Sequence, residues 1–263
     1  MEDLQLYNII AVISDIHSNL FALEAVLKDL DNLKADLIVN LGDSLFGPLD
    51  PLATAGLLMQ RKEMINIMGN CDEHLLEETG TSPTYRYVKP LLREQEETWI
   101  RSHCGTWSYD GLLFCHGTPW SNADYLLEEL TPAVGPAYKP AEQLAAELHR
   151  IEERIVFCGH SHVFHLLELP EGKQAVNPGS VGLPAYEEKL PYPYVMESGT
   201  PLASYCLCIR DNGSPGGWRI VHRLVEYDWD KAADLAEEAG RPDYAVAIRY
   251  GRMTGESSET RGM

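Results

Sequence analysis

Three apolar segments in the first third of the chain each run directly into a cluster of polar side chains. Residues 8–13 end in Ser14-Asp15-Ile16-His17-Ser18-Asn19, residues 36–41 in Gly42-Asp43, and residues 64–68 in Gly69-Asn70-Cys71-Asp72. Near-continuous apolar runs of this length predict strands buried on both faces, the habit of a parallel sheet. The intervening segments predict helices. Ser18 or Asn19 can cap a helix that lines up Leu20, Leu23, Val26, Leu27 and Leu30 on one side. Asp50-Pro51 reads as the cap and first position of a second helix, running to about Arg61. Strand, helix, strand, helix, strand with short connections predicts a parallel α/β sheet. Such sheets place ligands at the carboxyl ends of their strands, which is where all three polar clusters fall.

The remainder of the chain is richer in hairpin signals. Residues 84–103 read as mainly helical, with Pro90 as a kink or start. Residues 105–109 and 112–115 flank Asp110-Gly111 as a hairpin, and the second of its strands ends in His116-Gly117. Residues 121–139 carry no periodicity and are rich in Pro and Gly, so they read as irregular. A helix is expected over 140–153, then a strand over 154–158 that delivers Gly159-His160-Ser161-His162. Two further hairpins surround Glu171-Gly172 and Asn212-Gly213, which points to a second sheet packed on the first. Residues 230–250 read as helical with a break at Gly240-Arg241-Pro242. Residues 1–250 are expected to form a single domain, and the polar tail over 251–263 is expected to be disordered.

Collected from the strand ends, the polar residues are Asp15, His17, Asp43, Asn70, Asp72, His116, His160 and His162. Each alone has a plain reading as a cap, a turn residue or an ordinary histidine, and Asn70 after Gly69 suits a left-handed turn. Together they supply carboxylate oxygen, imidazole nitrogen and amide oxygen, a donor set that suits borderline divalent metals such as Mn, Fe, Ni, Zn or Co. His160 and His162, two apart, lie on one side of an extended segment. The ligands are too many for one open catalytic ion and about enough for two sharing a carboxylate. His74, His103, His149 and His222 lack this context and read as surface or satisfied residues. His165 reads as the start of the next strand. Trp120 and Tyr125 fit core or loop packing better than a substrate frame.

Charge narrows the partners. The chain of 263 residues has 40 Asp and Glu against 21 Lys and Arg, a net charge of -19. That excess disfavours long nucleic acids, which need clustered cations to neutralise phosphates, and it disfavours a polybasic membrane anchor. No apolar run is long enough to span a bilayer. The acidic start Met1-Glu2-Asp3 lacks the basic region of a signal peptide, and the six cysteines include no CxxC pair. Reduced thiols and a cytoplasmic location are expected.

The ordered pattern Asp15-x-His17, Gly42-Asp43, Gly69-Asn70-Cys71-Asp72, His116-Gly117 and Gly159-His160-Ser161-His162, joined by Asn177-Pro178-Gly179-Ser180-Val181-Gly182, resembles the calcineurin-like metallophosphoesterases. It is most similar to the bacterial and archaeal branch of small phosphodiesterases related to diadenosine tetraphosphatases. The resemblance spans about residues 8–225 and implies a four-layer αββα sandwich. It implies that Asp15, His17, Asp43 and His162 hold a first divalent ion, that Asp43, Asn70, His116 and His160 hold a second, and that Asp43 bridges them. It further implies hydrolysis of a nucleotide or other small phosphodiester by in-line attack of a metal-bridging hydroxide. Asp72 would then orient a ligand or water from behind the site. Cys71 stands where many members carry a His near the leaving group, so Cys71 and Asp72 are the catalytic candidates beyond the ligands. The other reading of Cys71 is a small apolar filler.

Two departures from the family qualify the substrate. Phosphoprotein phosphatases carry Arg beside the Gly-Asp and Gly-Asn motifs, and this chain has none there. Weak recognition of a dianionic monoester is the expectation, in favour of diesters. The stretch 184–205, rich in Pro and Tyr, differs from related chains and reads as a lid or an oligomer contact. A phosphomonoesterase and a dinucleoside-polyphosphate hydrolase are the alternatives on the same fold. A non-catalytic scaffold is the remote one, and no ligand position has been lost.

Overall fold

A computed structural model describes residues 6–132 and 135–254 of the chain. Strand β1 (Ile9–Ile13) leads into helix α1 (Leu20–Leu33), where the Asn19 side chain caps the amide of Ala22. Strand β2 (Leu37–Asn40) is followed by α2 (Pro51–Gln60), with Asp50 as its cap and Pro51 in its first turn. Strand β3 (Ile65–Asn66) runs into α3 (Asn70–Leu76). Next come α4 (Pro83–Val88), a 3-10 turn at Lys89–Leu91, and α5 (Glu94–Arg101). The helical stretch expected over 84–103 is thus three pieces, and Pro90, which has no amide proton to continue a helix, sits in the turn.

Strands β4 (Thr106–Tyr109) and β5 (Leu112–Cys115) form the expected hairpin. Residues 121–139 contain a second hairpin that their composition conceals, β6 (Glu128–Thr131) with β7 (Gly135–Tyr138). Helix α6 (Ala141–Glu147) stops short of the expected residue 153, and β8 (Ile155–Phe157) follows. Strands β9 (His165–Glu168) and β10 (Gln174–Asn177) pair antiparallel, as do β11 (Ala185–Glu188) with β12 (Tyr194–Glu197) and β13 (Ala203–Arg210) with β14 (Trp218–Val225). Helices α7 (Trp229–Glu238) and α8 (Pro242–Tyr250) end the described chain, separated at the predicted Gly240-Arg241 break. The tail beyond residue 254 lies outside the described residues.

Two five-stranded sheets dominate, in the orders β14-β13-β1-β2-β3 and β4-β5-β8-β10-β9. Strands β1, β2 and β3 are parallel, and so are β5, β8 and β10. The alternation of side chains along β1 shows how the layers form. Ile10 and Val12 enter a core shared with Phe114, Phe157 and Val176 of the second sheet. Ala11 and Ile13 face the other way, onto Leu23, Val26 and Leu27 of α1. On the far side, Leu113 and Val156 pack against Leu144 and Leu148, at and just after α6. The result is helix, sheet, sheet, helix, the four-layer αββα sandwich. No helix among the described residues is long and apolar enough to cross a membrane.

Candidate active site

The strands end where the polar clusters begin, and backbone hydrogen bonds then splice the clusters together. Asp15 N donates to Gly42 O, His17 N to Asp43 O and Ser18 N to Ser44 O, each at 3.0 Å. The β1 and β2 loops therefore stay in register after their sheet pairing stops. Gly42 adopts φ of 115°, open only to glycine, and a Cβ there would lie 2.5 Å from the amide nitrogen of Gly69. A Cβ on Gly69 would in turn lie 2.1 Å from Asp43 Oδ1. These two glycines let the second and third loops interlock.

Within this frame the described residues contain two groups of side chains able to hold a metal, Asp15 with His17 and His162, and Asp43 with His116 and His160. In the first, Nε2 of His17 lies 3.2 Å from Nε2 of His162, and the latter lies 3.3 Å from Asp15 Oδ1. In the second, Nε2 of His116 lies 3.4 Å from Asp43 Oδ2 and 3.0 Å from the amide oxygen of Asn70. Asp43 Oδ2 also lies 4.0 Å from Nε2 of His17, so it stands between the groups. Donor atoms about 2.1 Å from a common ion sit roughly 3–3.5 Å from one another, close to these separations.

The tautomers agree with this. Nδ1 of His17 meets Phe46 O at 2.7 Å, Nδ1 of His162 meets Leu183 O at 2.6 Å, and Nδ1 of His116 meets Leu41 O at 3.0 Å. A carbonyl only accepts, so each Nδ1 carries the proton and each Nε2 of a neutral ring offers a lone pair. Two lone pairs facing at 3.2 Å repel unless a proton or a cation lies between them. His160 is reversed. Its Nε2 meets Ala123 O at 3.1 Å, which leaves Nδ1 as its donor atom. Asp15 Oδ1 is buried and accepts no hydrogen bond from any described residue. An orphaned carboxylate oxygen beside converging imidazole lone pairs fits a divalent cation.

Protonation follows from burial and neighbours. Burial raises the Asp15 carboxyl, but His162 beside it outweighs burial and holds it at about 2. Burial opposes ionisation of Asp43 too, and His116 with His17 holds it well below the usual carboxylate range. Burial lowers His116, yet Asp43 raises it to about 9, so its Nε2 carries a proton toward Asp43 that a cation would have to displace, whereas burial and the charge of His116 push His160 down to about 4. Burial and Asp43 push the Cys71 thiol up, so it stays neutral.

The two remaining candidates separate. Cys71 lines the cavity onto which the ligands open, and its backbone amide donates to Asp43 Oδ1 at 2.9 Å. Asp72 is fully buried behind the site. It accepts from the amides of Asp43 at 2.8 Å, Ser44 at 3.0 Å and Gly69 at 3.3 Å. Its contacts are to the backbone of the ligand loops rather than to a ligand side chain. His103 corrects the sequence reading: it is neither exposed nor satisfied. It is buried, lies 3.9 Å from Asp72, and neither ring nitrogen has a hydrogen-bond partner among the described residues. The other bland histidines hold, with His74 on Glu77, His149 on Ala146 O and His222 on Ser204.

Sequence reasoning missed part of the cavity. Tyr125 stacks on His160 with ring centroids 4.5 Å apart, and its hydroxyl lies 2.6 Å from that of Tyr186 and 2.8 Å from that of Tyr194. Tyr186 donates to His160 O at 3.1 Å and stands edge-on to His162. The β11–β12 hairpin, within the stretch expected to be a lid or contact, is thereby fixed as a wall of the cavity. Arg241, Asp243 and Tyr244 also line it. No local signal marks them, because a Pro-Asp pair after Arg241 reads as an ordinary helix start.

The model of the calcineurin-like phosphoesterase superfamily domain matches residues 9–197. The chain therefore belongs to the calcineurin-like phosphoesterase superfamily, metal-dependent hydrolases of phosphoesters. An uncharacterised protein of Methanocaldococcus jannaschii is 26% identical over 262 residues, covering 90% of this chain and 95% of the relative. The crystal structure of a metallophosphoesterase from Sphaerobacter thermophilus is similar at a TM-score of 0.73 and 23% identity, covering 94% of this chain and 100% of that one. A hypothetical protein from Pyrococcus horikoshii OT3 gives 0.69 at 18% identity, covering 93% and 98%. At these identities the two structures bear on the fold alone.

Proposed function

We propose that this phosphoesterase is a dinuclear enzyme that hydrolyses a phosphodiester, in the form of a nucleotide or another small diester. The observation that carries the reading is the place of Asp43 Oδ2, 3.4 Å from a histidine of one ligand group and 4.0 Å from a histidine of the other. Asp15, His17 and His162 would hold one divalent ion, and Asn70, His116 and His160 the other, with Asp43 shared. When bound, such a pair activates water and offsets charge on the phosphoryl oxygens. The chain's own residues prepare that site. Carbonyls fix the four imidazoles in one tautomer each, Asp72 holds the loops that carry Asp43 and Asn70, and the tyrosine wall screens the ligands from bulk water. Cys71, a neutral thiol, would touch the substrate without exchanging a proton.

Charge supports a diester over a monoester. Lys139 and Arg241 are the only cationic side chains among the described residues lining the cavity, and both are paired, Lys139 with Glu147 at 2.9 Å and Arg241 with Asp243. Asp124, Glu187 and Glu188 line it as well. Apart from bound metal, nothing there clamps a second negative charge. The described cysteines are all free, which supports a reducing, cytoplasmic compartment.

Metal analysis of the purified protein, with bis(p-nitrophenyl) phosphate and p-nitrophenyl phosphate compared in Mn, tests the proposal. Two ions per chain and faster turnover of the diester are expected. No turnover of either ester with metal bound would overturn the enzymatic reading, and faster turnover of the monoester would overturn the diester preference.

A further inference from the structure

The ligand cluster lines only part of a cavity of about 780 Å³, within the range of sites that enclose a whole drug-sized ligand. The rest of the cavity must therefore meet the parts of the substrate that do not react. One polar corner of it joins the start of α8, which lies beyond the residues that match the family model, to α4, which lies within them. Arg241 Nε donates to Asp243 Oδ1 at 2.8 Å and Nη2 to Asp243 Oδ2 at 2.5 Å, while Nη1 donates to Thr84 Oγ1 across 157 residues of sequence. The guanidinium lies 4.3 Å from the ring centre of Tyr244. Tyr244, Thr84 and Cys71 line the same cavity as Asn70, His160 and His162.

The Arg241 side chain is only 16% exposed, so it is held on three sides and is not a solvated surface group. A guanidinium has five N–H donors. Three are used on Asp243 and Thr84 and Tyr244 engages the group as well, which leaves at least one N–H of the guanidinium without a partner. Asp243, 45% exposed, keeps free acceptor lone pairs beside it. The corner thus offers donors next to acceptors, with its charge cancelled internally. A second phosphate gains little from such a pair. An uncharged group that both donates and accepts hydrogen bonds matches it.

We propose that Arg241 and Asp243 form a specificity subsite for the uncharged polar end of the substrate, a nucleobase edge or a ribose diol. The inference rests on the phosphodiesterase reading and narrows its substrate to a nucleotide ester, in preference to a simple alkyl or aryl diester. Arg241 and Asp243 bind the part that stays unchanged while the ligand cluster holds the phosphate.

The test uses the Mn-loaded protein with two esters that share a leaving group, the p-nitrophenyl ester of uridine 5′-phosphate and bis(p-nitrophenyl) phosphate. Arg241→Met and Asp243→Asn should each lower the ratio of the two kcat/KM values, nucleotide over aryl, by roughly tenfold or more, the cost of losing a hydrogen bond to a charged group. Asp243 is half exposed, and its conservative change keeps the test valid should Arg241→Met fail to fold. Calorimetry adds a readout free of turnover, with uridine monophosphate and ribose 5-phosphate as probes. Tighter binding of the nucleotide, lost in the variants, assigns the corner to the base. Equal binding of both probes, weakened in the variants, assigns it to the diol. An unchanged kcat/KM ratio together with unchanged affinities in both variants overturns the subsite. Absence of turnover with either ester overturns the phosphodiesterase reading alone, because calorimetry still decides the subsite.

Discussion

Asp15, His17, Asp43, His160 and His162 all hold left-handed backbone, with φ between 48° and 69°. Such residues cost on the order of 1–2 kcal/mol each, and Asp, Asn and His bear that conformation better than most. Five together mark a site that the surrounding sheet over-determines. Asp43→Asn keeps a residue suited to this backbone, so it removes charge and spares the fold. It should reduce the metal content below two ions per chain by plasma emission and lower kcat on the order of a hundredfold. Glu128 gives a test by pH. Burial raises its carboxyl to about 7 despite the hydroxyl of Ser161, which donates to it at 2.7 Å. The folded chain therefore holds this proton more tightly than the unfolded one, whose carboxyl sits near 4.5. The stability this contributes is complete below about 4.5 and is lost as pH rises through about 7. Glu128→Gln cannot titrate, so its melting temperature should gain on the wild type between pH 5 and pH 8. At this scale the residues able to hold a metal were legible because each follows a strand. Tautomers, the orphaned Asp15 oxygen and the burial of His103 were not, since they depend on neighbours far along the chain.

Single elements carry the site through their ends. Asn19 caps α1 at Ala22 N and also donates to Gly182 O at 2.9 Å, tying the first ligand loop to the segment after Asn177. Asn19→Ala should cost about 1–2 kcal/mol in denaturant unfolding, with metal affinity falling in parallel. In the β11–β12 hairpin, Tyr186→Phe removes the hydroxyl that meets Tyr125 and His160 O while keeping the ring against His162. The expected result is a metal affinity roughly tenfold weaker, read by competition with a chelating dye. The strong elements were readable, β1 and α1 above all, because their apolar periods are long. The β6–β7 pair was not. Its strands are short and half exposed, without an alternating face, and β7 packs against β12, far along the chain. Strand β3 keeps only Ile65 and Asn66 of an expected five-residue run, since beyond them the chain bridges to Cys104 alone and then enters the Gly69 turn.

In the whole molecule, each ligand group draws from both sheets. Asp15 and His17 follow β1 and meet His162 from beyond β8, while Asp43 follows β2 and meets His116 and His160 from beyond β5 and β8. Metal held there would fasten sheet to sheet, and metal should stabilise the folded state by linkage, by about 2.7 kcal/mol at a hundredfold excess over Kd. Chelator should lower the melting temperature accordingly. Phe157, fully buried and stacked on Phe114 in the layer between the sheets, gives the converse test. Phe157→Ala should cost about 3–5 kcal/mol in denaturant unfolding and weaken metal binding without touching a ligand. The C-terminal pair stands apart from this clasp. Helices α7 and α8 meet through Ala232, Ala233, Ala236, Ala245 and Ala247, small side chains that let the two backbones approach closely. They deliver Arg241 and Asp243 to the cavity from beyond residues 9–197, the segment that the family model matches. On the proposed reading, reaction chemistry and choice of substrate would be written in separate stretches of the gene, so recombination downstream of residue 197 would retarget the enzyme while its candidate metal-binding residues stay as they are.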